Sequence, residues 1–159
     1  MRNVIVTDPP RASTSPCSDG MFGELFATAL QVRGVRGLVT EGGVRDVAEL
    51  HPMGFPVWSA AVSAQGTVKA TPGAVNVPIT VGGQLVRPGV AILADDDGVM
   101  CVPRQDVNRA IDAAQARVDK EEVSRKAFLA GELGLDGYRL RARLARLGVD
   151  YVTADQYGL

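Results

Sequence analysis

Short β-branched runs that alternate with helically spaced apolar stripes constrain this chain more than any other feature. Asn3 to Thr7 (NVIVT) reads as a buried strand stopped by Asp8-Pro9-Pro10. Phe22, Leu25, Phe26, Ala29 and Leu30 then fall at i, i+3, i+4, i+7 and i+8, one apolar stripe of a helix that Gly34 closes. Val35 to Thr40 (VRGLVT) is a second strand, followed by a turn at Glu41-Gly42-Gly43 and a short helix over Val44 to Leu50. Phe55 to Ala61 is a third strand, whose proline places it at an edge or at a first-residue position. The order predicts an α/β domain.

The remainder is β-rich and then helical. Val75 to Val81 runs into Gly82-Gly83, a hairpin signal, and Gln84 to Val86 returns. Val90 to Ala94 and Val99 to Val102 flank a turn at Asp95-Asp96-Asp97-Gly98. Val107, Ala110, Ile111, Ala114 and Val118 mark a long amphipathic helix that becomes highly charged from Asp119 to Lys126. Leu140, Leu144 and Leu147 define a last helix. No repeat, low-complexity stretch or linker interrupts the 159 residues, so residues 1–159 are expected to form a single domain. A strand that opens at residue 3 before a long loop suggests that structure normally preceding it is absent.

Composition excludes several classes of function. With 46% hydrophobic and 22% charged residues the chain has the profile of a globular protein. A formal charge of -1 gives no electrostatic footprint for nucleic acid. No apolar run is long enough to span a bilayer and the amino terminus has no signal-peptide core, so a cytoplasmic protein without membrane contact is expected. Cys17 and Cys101 form neither a disulfide framework nor a zinc motif, and the single His51 leaves no multi-histidine metal site.

Two segments can carry chemistry. Gly23-Glu24-Leu25-Phe26 opens the first helix, where free N–H groups and the positive dipole end suit a carboxylate or phosphate; Glu24 can equally be a residue that merely complements the dipole. Glu41-Gly42-Gly43-Val44-Arg45-Asp46 follows a strand, where α/β domains place their ligands. Arg45 can grip a carboxylate or polarised carbonyl, and Asp46 is a hard oxygen ligand for Mg²⁺ or Mn²⁺. A helix-start aspartate and a solvated arginine are the plainer alternative. Asp95-Asp96-Asp97-Gly98 lacks the distal glutamate of a calcium loop and reads as a hairpin turn. Lys69 reads as an exposed strand-end residue, His51 as a helix cap, Cys17 as an unactivated thiol, and Asp119 to Lys126 as a solvated helix face.

Taken together these residues resemble the 4-hydroxy-4-methyl-2-oxoglutarate/4-carboxy-4-hydroxy-2-oxoadipate aldolases, within the superfamily of the regulator of ribonuclease E activity A (RraA). The resemblance rests on Phe22 to Thr28, Gly37-Leu38-Val39, Gly43 to Val47, Phe55 to Ser59, Ala64 to Lys69, Val75 to Pro78, Ala94 to Val99 and Gly131 to Asp136. It runs from about Val4 to Tyr151 and points to the carboxy-hydroxy-oxoadipate branch. It implies a three-layer β/β/α domain of the swivelling type, assembled as a homotrimer or homohexamer with active sites between subunits. The family signature is an acid, twenty intervening residues and Arg-Asp; here residues 25 to 44 separate Glu24 from Arg45.

By that resemblance Asp46 holds a divalent metal cation, Mg or Mn, and Arg45 contacts the pyruvyl oxygen. The amides of Leu25 and Phe26, following Gly23 and Glu24, receive the pyruvyl carboxylate, and Glu121 of a neighbouring subunit completes the pocket. The implied activity is that of a class II pyruvate aldolase in aromatic compound degradation. It cleaves 4-carboxy-4-hydroxy-2-oxoadipate to pyruvate and oxaloacetate, accepts 4-hydroxy-4-methyl-2-oxoglutarate, and decarboxylates oxaloacetate as a side reaction. Metal and Arg45 would stabilise the enolate, with Glu24 or Glu121 orienting the water that moves protons. Two departures stand out: Glu24 replaces the family's usual Asp, and the family's N-terminal segment, which supplies a glutamate and a histidine, has no counterpart before Val4. The alternative is a non-catalytic RraA-like protein that binds and inhibits a ribonuclease; Asp46 and the Gly131 to Asp136 motif count against it.

Overall fold

The computed structural model describes residues 3–7, 18–67, 74–152 and 154–157. The chain divides into two compact units, Met1–Val107 and Asn108–Leu159.

The first unit is built on one long strand. β1 (Asn3–Thr7), β2 (Gly20–Phe22) and β4 (Val57–Val62) all pair in parallel with β3 (Val35–Val44). Leu38, Val39 and Thr40 pair with both β1 and β4, so those two strands lie on opposite edges of β3. β2 continues the β1 edge, pairing Gly20 with Gly43 and Phe22 with Val44. Parallel neighbours need crossovers, supplied by α1 (Glu24–Gln31) between β2 and β3 and α2 (Val47–Met53) between β3 and β4. A central parallel strand is covered on both faces, and eight of the ten β3 residues are accordingly buried. Ala27, Val35, Leu38, Val44, Leu50 and Phe55 form the core, with Phe22, Leu30, Met53 and Val57 packed against it. The Phe22 ring stacks on Phe55 at 5.8 Å and on Phe26 at 6.2 Å.

Several expected boundaries move, each for a local reason. Phe22 belongs to β2 rather than to the helix; its ring joins the same core as Leu30, so the helical stripe in the sequence counted it. Glu41-Gly42-Gly43 is not a turn but the last third of β3, and the expected helix over Val44 to Leu50 starts only at Val47. The glycines are there for close approach: a Cβ on Gly43 would lie 2.1 Å from the Ser18 carbonyl oxygen and 2.6 Å from that of Asp19. Pro56 precedes β4, which pairs only with β3 among the described residues, as its proline suggested.

Two hairpins follow. β5 (Ile79–Val81) and β6 (Gln84–Val86) turn at Gly82-Gly83, both at positive φ, and the Gly82 N–H donates to Glu41 Oε1 at 2.5 Å, tying the turn to β3. Val75 to Val77, expected to belong to that strand, form a bend. β7 (Ala91–Asp95) and β8 (Gly98–Val102) enclose the acidic turn, where Asp95 Oδ1 accepts the N–H groups of Asp97 at 3.0 Å and Gly98 at 3.2 Å. That carboxylate closes a hairpin, as its flanking strands predicted.

The second unit is helical. α3 (Val107–Leu129) runs into it and buries none of its residues; α4 (Gly134–Gly137) and α5 (Arg141–Arg146) follow. Phe128 and Tyr138 meet edge to face at 5.6 Å, and Arg141 pairs with Asp136 while lying 5.0 Å from the Tyr151 ring centre. Among the described residues no helix is long and apolar enough to cross a membrane.

Candidate active site

The register of the sheet brings the two chemistry-bearing segments together. Phe22 pairs with Val44 and Val44 with Val62, so three parallel strands end at one level. The residues that follow them, Gly23, Arg45 and Ser63, therefore share the carboxyl edge of the sheet, where open α/β sheets bind ligands. Backbone bonds lock the three exits together: Arg45 N–H donates to Phe22 O at 2.9 Å, Ser63 N–H to Val44 O at 2.9 Å and Gly20 N–H to Gln65 O at 2.8 Å.

At this edge the Arg-Asp pair meets the start of α1. Gly23 is the extended residue before the helix and provides no side-chain cap. Its place is taken from another element: Asp46 Oδ2 accepts the Glu24 N–H at 3.1 Å and lies 3.6 Å from Arg45 Nε. A carboxylate on a helix-start amide meets both a free donor and the positive dipole end, an interaction of about 0.3–1 kcal/mol when exposed. The close fit demands glycine at position 23, because a Cβ there would sit 2.2 Å from Asp46 Oδ2 and 3.0 Å from Arg45 Cγ. Asp46 itself adopts φ +59, a left-handed conformation that costs about 1–2 kcal/mol for a residue with a side chain.

The corner has unused capacity. Both Arg45 and Asp46 side chains are 39% exposed, open enough for a ligand to reach. Asp46 Oδ1 accepts no hydrogen bond, and the Leu25 N–H finds no acceptor, among the described residues. Glu24 lies on α1 with Oε1 accepting the Thr28 hydroxyl at 2.8 Å, which turns its carboxylate along the helix. Phe26, next to Leu25, is half exposed. No group of three or more His, Cys, Asp or Glu side chains gathers to hold a metal among the described residues. A hard cation such as Mg²⁺ needs only one or two carboxylates, its other positions being filled by water and substrate oxygen. Asp46 Oδ1 fits that demand.

Other expected positions lie elsewhere. Glu121 is on α3 in the second unit, its Oε1 accepting Arg117 Nε at 2.7 Å, and it lines a cavity of about 420 Å³ with Arg125, Phe128 and Tyr138. His51 is exposed within α2, where its carbonyl, not its ring, accepts the Gly54 N–H. Burial pushes the Cys101 thiol above its usual range, away from the reactive thiolate. Cys17 and Lys69 lie outside the described residues. Sequence reasoning missed the segment from Ser63 to Gly66 as part of the corner. Its signal was present, since Ala64 to Lys69 was among the segments carrying the resemblance, but no side chain there advertised a role.

The chain is similar to known proteins of one family. A model of the RraA-like family, described as Aldolase/RraA, matches residues 2–101. A protein of Halalkalibacterium halodurans with a provisional 4-hydroxy-4-methyl-2-oxoglutarate aldolase name is 26% identical over 136 residues, 86% of this chain and 63% of its own length. The 4-hydroxy-4-methyl-2-oxoglutarate aldolase of Thermus thermophilus is 37% identical over 83 residues, 52% of this chain and 51% of that protein. Among solved structures, Streptomyces coelicolor RraAS2, described as an unusual member of the RNase ES inhibitor RraA protein family, superposes with a TM-score of 0.66 at 29% identity. That match covers 77% of this chain and 61% of the other. The chain thus spans between half and two thirds of the length of these relatives. With a family match over well over half of its residues, the chain belongs to the RraA-like family.

Proposed function

We propose that the protein is a divalent-metal-dependent carbon–carbon lyase acting on 4-carboxy-4-hydroxy-2-oxoadipate, with 4-hydroxy-4-methyl-2-oxoglutarate as a second substrate. The observation that carries this reading is the meeting of Arg45, Asp46 and the α1 start, with Glu24 N to Asp46 Oδ2 at 3.1 Å. A 2-oxo acid presents a carboxylate beside a carbonyl, and the corner presents a free helix-start amide at Leu25 beside the Arg45 guanidinium. Leu25 seats the carboxylate, and Arg45 faces the carbonyl oxygen that gains charge as the C–C bond breaks. Asp46 would hold the Mg²⁺ or Mn²⁺, which would supply Lewis-acid polarisation of that carbonyl when bound.

Cleavage takes a proton from the substrate hydroxyl, passes the electron pair of the broken bond to the pyruvyl half, and returns a proton to its carbon. Glu24 is the nearby carboxylate for this traffic: Thr28 holds Oε1, leaving Oε2 without a partner among the described residues. Glu121 serves the site of a neighbouring copy, in a homotrimer or homohexamer. The test is release of pyruvate and oxaloacetate with Mg²⁺ or Mn²⁺ present. Activity is expected to vanish with a chelator and in Asp46→Ala; metal-independent turnover, or a fully active alanine variant, overturns the proposal. The likeness to RraAS2 supports a second reading as a ribonuclease-binding protein. Capture of a ribonuclease by a preparation without lyase activity would select it.

A further inference from the structure

The segment after β4 forms a wall of the same corner, and one of its residues has no side chain where it passes the Arg45 guanidinium. Ser63 N–H is bonded to Val44 O at 2.9 Å, Gln65 N–H to Ser63 Oγ at 3.2 Å, and Gln65 O accepts the Gly20 N–H at 2.8 Å. The loop is thus tied to β3 and to β2, and its position relative to Arg45 is fixed by the sheet. Arg45 lies along a series of glycines. A Cβ on Gly20 would come 3.1 Å from Arg45 Cβ, one on Gly23 3.0 Å from Arg45 Cγ and Nε, and one on Gly66 3.7 Å from Arg45 Nη1.

These glycines differ in kind. A Cβ on Gly20 would face the Ser63 carbonyl oxygen at 2.3 Å and one on Gly23 the Asp46 carboxylate at 2.2 Å, so a side chain at the first meets backbone and one at the second displaces the carboxylate from the helix start. Gly66 is exposed, and an added Cβ would meet Arg45 Nη1 and no other atom within 4 Å among the described residues. Packing does not require glycine at position 66. Its missing side chain leaves open the space beside Arg45 Nη1, where a substrate oxygen can accept from the guanidinium.

We infer that Gly66 is a specificity-determining position, keeping the outer face of the Arg45 guanidinium open so that the site admits a branched 2-oxo acid. The inference rests on the lyase reading and adds to it the residue that limits substrate size. A methyl group at Gly66 narrows the space without touching the fold. A carboxylate there reaches Arg45 and takes the substrate's place.

The experiment compares the unmodified protein, Gly66→Ala and Gly66→Asp for melting temperature, pyruvate affinity in the presence of Mn²⁺, and kcat and KM for the branched substrate and for oxaloacetate. In Gly66→Ala the melting temperature is expected to hold while KM for the branched substrate rises on the order of tenfold, more than for oxaloacetate. Gly66→Asp is expected to melt no lower than the unmodified protein and to lose pyruvate binding. If the unmodified protein binds pyruvate and turns over but both variants match it, only the role of Gly66 is overturned. Variants that melt lower with unchanged KM overturn it in favour of a structural role. An unmodified protein that neither binds nor cleaves overturns the lyase reading, and this inference falls with it.

Discussion

Asp46 carries two demands on one carboxylate. Oδ2 caps α1 through the Glu24 N–H, and Oδ1 would hold the proposed cation. These demands separate on substitution. Asparagine tolerates the left-handed backbone at φ +59 and its amide oxygen can accept the Glu24 N–H, whereas alanine does neither. Asp46→Asn is therefore expected to cost less than about 1 kcal/mol, and Asp46→Ala about 1–3 kcal/mol, in urea unfolding. Both should abolish metal-dependent turnover, because a neutral amide is a poor ligand for a hard cation. Equal destabilisation by the two substitutions would show that charge, not the hydrogen bond, joins the two helix starts. At this scale the sequence was informative for Arg45 and Asp46, whose side chains carry recognisable chemistry after a strand. It marked Gly23 only as the opening of the helix start, and it was silent on Gly66, whose contribution is the atoms it lacks.

Among the elements, β3 and α1 were legible because β-branched runs and a helical stripe survive in any context. What failed was the reading of glycine. Two adjacent glycines mark a turn at Gly82-Gly83, at positive φ, whereas in Gly42-Gly43 they serve close approach of β2 within a continuous strand. Local sequence does not distinguish the two uses, since the difference lies in a chain segment more than twenty residues away. β2 itself, only three residues long, is too short to show a period. In the second unit, α4 and α5 are joined by the Asp136–Arg141 pair, with Arg141 Nη2 at 3.0 Å from Asp136 Oδ2. The hydrogen bond from Arg141 holds the Asp136 carboxyl below its usual range. A carboxyl lowered in the folded state contributes stability above its unfolded pKa of about 3.9, and loses it as pH falls through the lower folded value. The α4–α5 junction is thus expected to hold at neutral pH and to loosen only in acid below that range. An NMR titration of Asp136 checks this: a midpoint at or above the ordinary value would contradict it. Because both groups are over two-fifths exposed, salt should weaken the effect.

On the scale of the whole molecule, the division at Val107 and Asn108 falls in the first turn of α3. A boundary at the start of a helix has none of the proline, glycine or serine enrichment that marks a linker, which is why composition gave no sign of it. α3 also buries no residue over its length while exposing Ile111, Val118, Val123 and Leu129. Its charged half, which composition marks as a solvated face, includes Glu121, the residue that the resemblance pointed to and that is proposed to act in a neighbouring copy. That proposal separates contributions by chain. Arg45 and Asp46 come from one copy and Glu121 from another, so a defect in either can be supplied by a partner with the other defect. Asp46→Asn and Glu121→Gln are each expected to be inactive alone. After dissociation and co-assembly in equal amounts, about a quarter of the sites in a cyclic oligomer would combine an intact Asp46 with an intact Glu121. Turnover should therefore return on mixing, in proportion to the mixed assemblies isolated through an affinity tag carried by one of the two variants. If Glu121 served its own chain's site, every site in the mixture would keep one defect and no activity would appear; a fully active Glu121→Gln would remove the residue from the site altogether.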